Sequence, residues 1–211
     1  KTESDVYLEL TEKQKSLYQH TVAQVRSSIE DAYRSKTQGQ AQIIALTAIM
    51  KLRQLCVSPR LLDRASKDPS PKLDFLIGKL KELREEGHSA LVFSQFTSFL
   101  DLLEEELKAS ELAFSRLDGS TAVKKRKHLV EGFQKGEAPP FCLLSLKAGG
   151  QGLNLTRASY VFHLDPWWNP AVENQASDRA HRIGQSQKVS ITRVLMRHTI
   201  EEKMMELKKR K

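Results

Sequence analysis

Cysteine is scarce in this chain. Cys56 and Cys142 are the two in 211 residues, far apart and in unlike contexts, the second inside an apolar run. That scarcity excludes a disulfide-stapled fold and predicts two buried thiols in a reducing compartment. The six histidines show no ligand spacing with cysteines or acids, so no zinc site is expected. No apolar run approaches the roughly 20 residues of a membrane span, and no secretory signal pattern opens the chain. The phosphate-loop pattern Gly-x-x-x-x-Gly-Lys-Ser/Thr is missing, as is the dinucleotide pattern Gly-x-Gly-x-x-Gly. The expectation left standing is an intracellular globular protein, whose 39% hydrophobic content suffices for a core without metal or disulfide. Lysine and arginine outnumber aspartate and glutamate by 34 to 26, a formal charge of +8, which favours a polyanionic partner. The chain opens on Lys1 rather than methionine and closes in Glu206-Leu-Lys-Lys-Arg-Lys211, which suggests a piece of a longer protein.

Helical periodicity dominates residues 1 to about 64. Val6 to Leu10 alternates as a short strand would, and Thr11 with Gln14 three residues on forms a capping-box pattern. Leu17, Tyr18, Val22 and Val25 then recur at helical spacing. Ser35 to Gln40 is polar and carries a glycine, which predicts a break, and a second helix is expected from about Gln42 to Gln54. Ser66-Lys-Asp-Pro-Ser-Pro71 is the best internal boundary. Beyond it a helix over 72–85 leads into apolar runs at 90–93, 112–117, 141–146, 160–164 and 189–195, with helices near 96–108, 122–134 and 170–183. Such alternation predicts an α/β fold, a parallel sheet with helices on both faces. The expected organisation is a helical subdomain and linker over 1–70, the α/β lobe over 71–197 and a C-terminal helix over 198–211. Ligand groups in such sheets collect at the carboxyl ends of strands, and the polar motifs of this chain fall there.

Several of those motifs carry chemistry. Ser94-Gln95 follows the first run. Asp118-Gly-Ser-Thr121 follows the second, where Ser120, Thr121 and backbone N-H groups at a helix start can hold a phosphate oxygen, although Ser and Thr also cap helices routinely. Lys124, Lys125, Arg126 and Lys127 add a cationic cluster that fits a phosphate backbone or a solvated face. The loop from Ser145 to Leu155 places Gly149, Gly150 and Gly152 within four positions, exposing backbone amides to a close neighbour, with Lys147 and Asn154 able to fix it. His163-Leu-Asp-Pro-Trp-Trp-Asn-Pro170 contains two adjacent tryptophans expected to point in different directions, so that one can be buried and the other offered to a groove or a partner, unless both pack in the core. Finally, Asn169 as N-cap, Pro170 as first residue and Gly184 as terminator bound a helix of roughly 14 residues. On it Gln175, Arg179 and Arg182 would stack on one side. Two neighbouring guanidiniums repel unless an anion lies between them, or unless local acids such as Glu173 and Asp178 pair with them.

The order of these motifs, closing in Asp178-Arg-Ala-His-Arg-Ile-Gly-Gln185, resembles the SWI/SNF-type DNA translocases of helicase superfamily 2, and the resemblance covers nearly the whole chain. It implies a RecA-like C-terminal helicase lobe preceded by a family-specific helical segment. Arg179 and Arg182 would act as arginine fingers on ATP and Mg2+ held mainly by a first lobe, with Gln175, Asp178, Gly150, Gly152 and Asn154 at the ATP cleft. Ser94, Gln95, Ser120, Thr121, Arg126, Ser145, Lys147, Gly149 and Trp168 would lie along double-stranded DNA. The tail resembles the start of a brace helix. Leu146 stands where threonine is common in the family, and the run from Ser145 to Gly150 with Asp165 to Pro170 resembles bacterial members somewhat more than chromatin remodellers. Nucleoid or nucleus would follow from the host. Neither a phosphate-loop lysine nor an Asp-Glu-Ala-His-like metal motif is present, so the chain alone is expected to be inactive. The rival expectation is a non-catalytic DNA- or protein-binding module that keeps the fold.

Overall fold

The computed structural model describes residues 1–35, 37–145, 153–182 and 186–210. Six strands form one sheet: β1 (Thr2–Leu8), β2 (Ala90–Ser94), β3 (Phe114–Leu117), β4 (Phe141–Ser145), β5 (Tyr160–His163) and β6 (Ser190–Met196). The order is β1-β6-β5-β2-β4-β3, and every pair is parallel. β3 and β4 lie on one side of β2, and β5 and β6 on the other. The chain therefore reverses its direction of travel around β2, and a crevice opens beyond the carboxyl ends there.

The helices follow from stripes in the sequence. α3 (Pro71–Glu85) begins at Ser70, whose hydroxyl accepts from the Leu73 amide, with Pro71 at the first helical position. With α4 (Thr97–Ala109) it covers one face of the sheet, packing Leu76, Leu80, Phe99, Leu100 and Leu103 on Val92, Leu143 and Phe162. Each of these fully buried side chains contributes roughly 1.5–3 kcal/mol. α5 (Val123–Lys135) and α6 (Pro170–Ser177) cover the other face, where Phe133, Trp167 and Ala176 meet Leu91, Phe93, Cys142 and Leu144. β2 and β4 are buried along their whole length, so they read as continuous apolar runs rather than alternating ones.

The N-terminal segment makes α1 (Glu12–Ser35) and α2 (Gln38–Val57). The capping box at Thr11 and Gln14 is present, at 3.0 and 3.3 Å. A second box, Thr37 with Gln40, starts α2 at Gln38, earlier than the polar stretch over 35–40 suggested. β1, read from sequence as lying over Val6–Leu10, runs instead from Thr2 and joins the sheet edge beside β6. Tyr18, Leu52, Leu55 and Cys56 pack with Met196, which fastens the helical hairpin to the end of β6. There α7 (Ile200–Lys209) begins, capped by Thr199. Cys56 and Cys142 are free and buried, and burial pushes both thiols up, Cys142 to about 12. Among the described residues no helix is long and apolar enough to cross a membrane.

Candidate functional site

The crevice is built on three consecutive residues after β5. Asp165 is buried. Its Oδ1 accepts from Ser94 Oγ at 2.6 Å, and its carboxylate accepts from the Gln95 amide at 3.1 and 3.3 Å. The Pro166 carbonyl accepts from Gln95 Nε2 at 2.9 Å and from Arg53 Nη2, on α2, at 3.2 Å. Leu164 accepts from Lys72 Nζ, on α3, at 2.5 Å. Burial pushes the Asp165 carboxyl up, against the opposing pull of the Ser94 bond and of Lys72.

This geometry changes the expectation for Ser94. Its side chain is fully buried, and its hydroxyl also accepts from the Phe96 amide at 3.1 Å. A hydroxyl so enclosed fixes the loop that carries Gln95. Gln95 is partly exposed and stands at the mouth of a cleft of about 560 Å³, together with Met50, Thr97, Arg116, Ser120 and Ser145. Ser145 is buried, its Oγ without a hydrogen-bond partner among the described residues.

Asp118 to Thr121 folds back on itself. Asp118 Oδ1 accepts from Ser120 N at 2.8 Å and from Ser120 Oγ at 2.5 Å, and Thr121 Oγ1 accepts from Asp118 N at 3.1 Å. The Ser120 hydroxyl, then Arg116, holds the Asp118 carboxyl below its ordinary range. The N-cap of α5 is Ala122, with no side-chain cap, so the two hydroxyls shape the turn instead of capping the helix. Ser120 stays exposed, and Lys124, Lys125 and Lys127 beyond it are exposed as well. Arg126 is half-buried, donates to the Thr121 carbonyl at 3.2 Å, and leaves its Nε buried without a partner among the described residues.

The arginine segment departs most from its sequence pattern. α6 starts at Asn169 as expected, the Asn169 side chain accepting from Ala171 N at 3.0 Å. It stops after eight residues at Ser177. The amides of Arg179 and Ala180 bond back only three residues, to Ala176 and Ser177, and the Arg179 carbonyl is taken by Leu155 N at 2.9 Å. Ser177 Oγ meanwhile bonds the ring of His163 at 2.8 Å. These bonds tighten the chain and end the helix, so Gln175, Arg179 and Arg182 do not share one helical face.

Arg179 and Arg182 still lie within electrostatic reach of each other. Arg182 Nη2 donates to the Leu153 carbonyl at 2.8 Å. Burial pulls the Arg179 guanidinium below its ordinary range, and repulsion from Arg182 and Arg126 adds to it. Glu173, one of the two local acids weighed as partners, is buried and bound by Arg193 and by Lys208, the latter at 3.2 Å. Asp178 is exposed and ends α6. Arg179, Gln175, Trp167 and Ser145 line a small cavity of about 40 Å³, which places the arginine segment beside the end of β4. Gln175 and Asn154 are exposed. The tryptophans divide as expected, Trp167 being 3% and Trp168 47% exposed. Lys147, Gly149, Gly150 and Gly152 lie outside the described residues.

Sequence reasoning passed over Asp165, Arg53, Lys72 and Glu201 as site residues. Asp165 carried a usable signal, an acid directly after a buried strand and ahead of Pro-Trp-Trp. Lys72 and Glu201 carried none, because their pairing is made by tertiary structure across most of the chain. Among the described residues no group of three or more His, Cys, Asp or Glu side chains could hold a metal ion. The chemistry available is charge stabilisation by guanidiniums and hydrogen bonding by Gln95 and Ser120.

Comparison with known proteins agrees with this architecture. The helicase conserved C-terminal domain family matches residues 71–184, more than half of the chain. The human helicase-like transcription factor is 50% identical over 146 residues, 67% of this chain and 14% of that protein. An uncharacterized ATP-dependent helicase of Mycoplasma genitalium is 35% identical over 208 residues, 99% of this chain and 20% of that protein. The chain thus spans from 14% to 20% of the length of these relatives. Among solved structures, the Sulfolobus solfataricus SWI2/SNF2 ATPase core in complex with dsDNA superposes with a TM-score of 0.85 at 30% identity, over 100% of this chain and 44% of that one. The C-terminal part of the Fun30 ATPase domain gives 0.81 at 27% identity, over 98% of this chain and 88% of that one. With its parallel six-stranded sheet and matched motifs, the chain belongs to the helicase conserved C-terminal domain family and is a C-terminal RecA-like lobe of the SWI2/SNF2 type.

Proposed function

We propose that this chain is the second motor lobe of an ATP-driven translocase on double-stranded DNA. The observation that carries the proposal is the meeting of Arg179 and Arg182 beside the carboxyl edge of the sheet, while Glu173 is committed to Arg193 and Lys208. Guanidiniums in each other's repulsive field suit a polyphosphate better than solvent, since an anion between them removes the repulsion and gains bidentate hydrogen bonds. The residues described fit the phosphate end of a nucleotide. They do not supply a carboxylate set for Mg2+, which would be held with ATP chiefly by a first RecA-like lobe. Bound ATP supplies the phosphoryl group whose transfer to water drives the cycle. This chain's part is to neutralise charge with Arg179 and Arg182, to place Gln175, Asp178 and Asn154 at the cleft, and to grip one strand. Gln95, Ser120, Thr121, Arg126, Trp168 and the glycine loop make that grip, with Ser94 acting through the position of Gln95. Alone, the lobe hydrolyses no ATP.

Support comes from the family match and from the dsDNA in the Sulfolobus complex. An intracellular site of action, beside DNA, belongs to the same proposal. The test is DNA-stimulated ATP hydrolysis by a polypeptide joining this lobe to a first lobe with a Gly-Lys-Ser/Thr loop. Arg179→Ala or Arg182→Ala should lower the rate on the order of a thousandfold or more while duplex binding persists. Unchanged hydrolysis in both variants would favour a binding module with no catalytic part.

A further inference from the structure

Three helices that are distant in sequence converge on the three residues after β5, and those residues hold Gln95. α7 contributes Glu201, fully buried, whose Oε2 accepts from Lys72 Nζ at 2.8 Å and whose Oε1 accepts from the Met196 amide at 2.9 Å. α3 contributes Lys72, fully buried, which also donates to the Leu164 carbonyl. α2 contributes Arg53, whose Nη2 shares the Pro166 carbonyl with Gln95 Nε2 and whose guanidinium lies 5.5 Å from the centre of the Phe96 ring. Asp165, between the two carbonyls, binds the backbone and neighbour of Gln95. A structural buried pair needs only to satisfy its own charges. Here Lys72 and Arg53 end directly on the one segment that fixes both the main chain and the side chain of Gln95, and Glu201 reaches it through Lys72.

We propose that Lys72, Glu201, Arg53 and Asp165 are positioning residues that carry the placement of α7 and of the helical hairpin to Gln95, and thereby to the DNA grip. The DNA part rests on the function proposed above, whereas the relay to Gln95 does not. Inside a low-dielectric core such bonds are stiff, and a displacement of Glu201 must move Lys72, the Leu164 carbonyl or both. Movement of the C-terminal helix, or of a neighbour bound to it, would be felt at the mouth of the cleft.

The experiment uses this chain with uniform 15N labelling. The side-chain amide of Gln95 is assigned by its loss in Gln95→Ala, and its shift and solvent exchange are read in Glu201→Gln and in Arg53→Lys. Glu201→Gln keeps an acceptor for the Met196 amide, removes the charge and puts an N-H donor where Oε2 accepted from Lys72. The expected result is a displaced Gln95 amide resonance and several-fold faster exchange in both variants. Glu206→Gln, an exposed change on the same helix, should leave Gln95 as in the wild type. If Glu201→Gln lowers global stability with the Gln95 signals unmoved, the pair is merely structural and the proposal falls. If that variant does not fold, Arg53→Lys decides alone by the same criterion. Affinity for a 15N-independent probe, a fluorescent duplex of about 20 base pairs at two salt concentrations, gives the second readout. Glu201→Gln and Gln95→Ala should combine non-additively there, by a factor of roughly five or more, and simple additivity would overturn the link to DNA. Absence of salt-dependent duplex binding by the wild type would instead defeat the DNA function, with the relay still judged by the Gln95 amide.

Discussion

Lys72→Met is the substitution whose cost the structure specifies most closely. The pair it breaks is enclosed, with side-chain exposures of 0% for Lys72 and 1% for Glu201. Removing the ammonium strands the carboxylate with a single remaining bond, from Met196 N, and leaves the Leu164 carbonyl without its Lys72 donor. Breaking a buried pair from one side costs about 3–5 kcal/mol, a large part of the 5–15 kcal/mol, in order of magnitude, that holds a domain together. Adding Glu201→Gln removes the stranded charge and keeps the Met196 bond. The double variant should therefore recover to a loss of about 1–3 kcal/mol, the penalty for the carbonyl alone. The pH dependence adds a second check. Burial pushes the Glu201 carboxyl up and Lys72 opposes that, so without Lys72 it rises further. A carboxyl with a raised folded pKa favours the native state at low pH, and that advantage is lost as pH rises from the unfolded value through the folded one. The deficit of Lys72→Met relative to wild type should accordingly be smaller at pH 5 than at pH 8. Urea unfolding followed by tryptophan emission, with Trp167 buried, measures all three proteins. A double variant no more stable than Lys72→Met, or a single variant that loses under 1 kcal/mol or so, would refute the reasoning.

Other consequences are independent of that pair. Burial drives the His163 imidazole down to about 4, so the unfolded chain binds the extra proton first as pH falls. Stability should drop between the ordinary histidine value and about 4, by roughly 3 kcal/mol in total, and the difference in unfolding free energy between wild type and His163→Asn should show that slope and be flat above pH 7. Trp167→Ala should cost about 3–5 kcal/mol in chemical unfolding. Trp168→Ala should cost within about 0.5 kcal/mol and act on duplex affinity instead, and equal stability losses would mean that the two rings are not divided between core and surface.

Local signals in the sequence located most elements. Thr11 with Gln14 and Asn169 with Pro170 each located a helix start, because a cap is a short-range hydrogen bond between neighbours. The alternation of apolar runs and helices gave the parallel α/β class. Strand order was not legible, since β2 and β4 are equally apolar and nothing local says that β4 lies between β2 and β3. The end of α6 was illegible for a related reason. Gly184 looks like a terminator, but the helix ends earlier, at Ser177, where the amides of Arg179 and Ala180 bond back only three residues. Ser94 was placed along DNA by resemblance, and only the fold shows its hydroxyl buried against Asp165. The helix read as carrying Arg179 and Arg182 starts where expected and ends before both of them.

The most direct measurement is a structure of this lobe joined to a first RecA-like lobe, on duplex DNA, with a nucleotide analogue of the phosphoryl-transfer state. The account requires the Arg179 and Arg182 guanidinium nitrogens within about 3 Å of phosphate oxygens, Arg182 having left or shared the Leu153 carbonyl. Guanidiniums that stay turned toward the protein, with the triphosphate contacted by the first lobe alone, would contradict it.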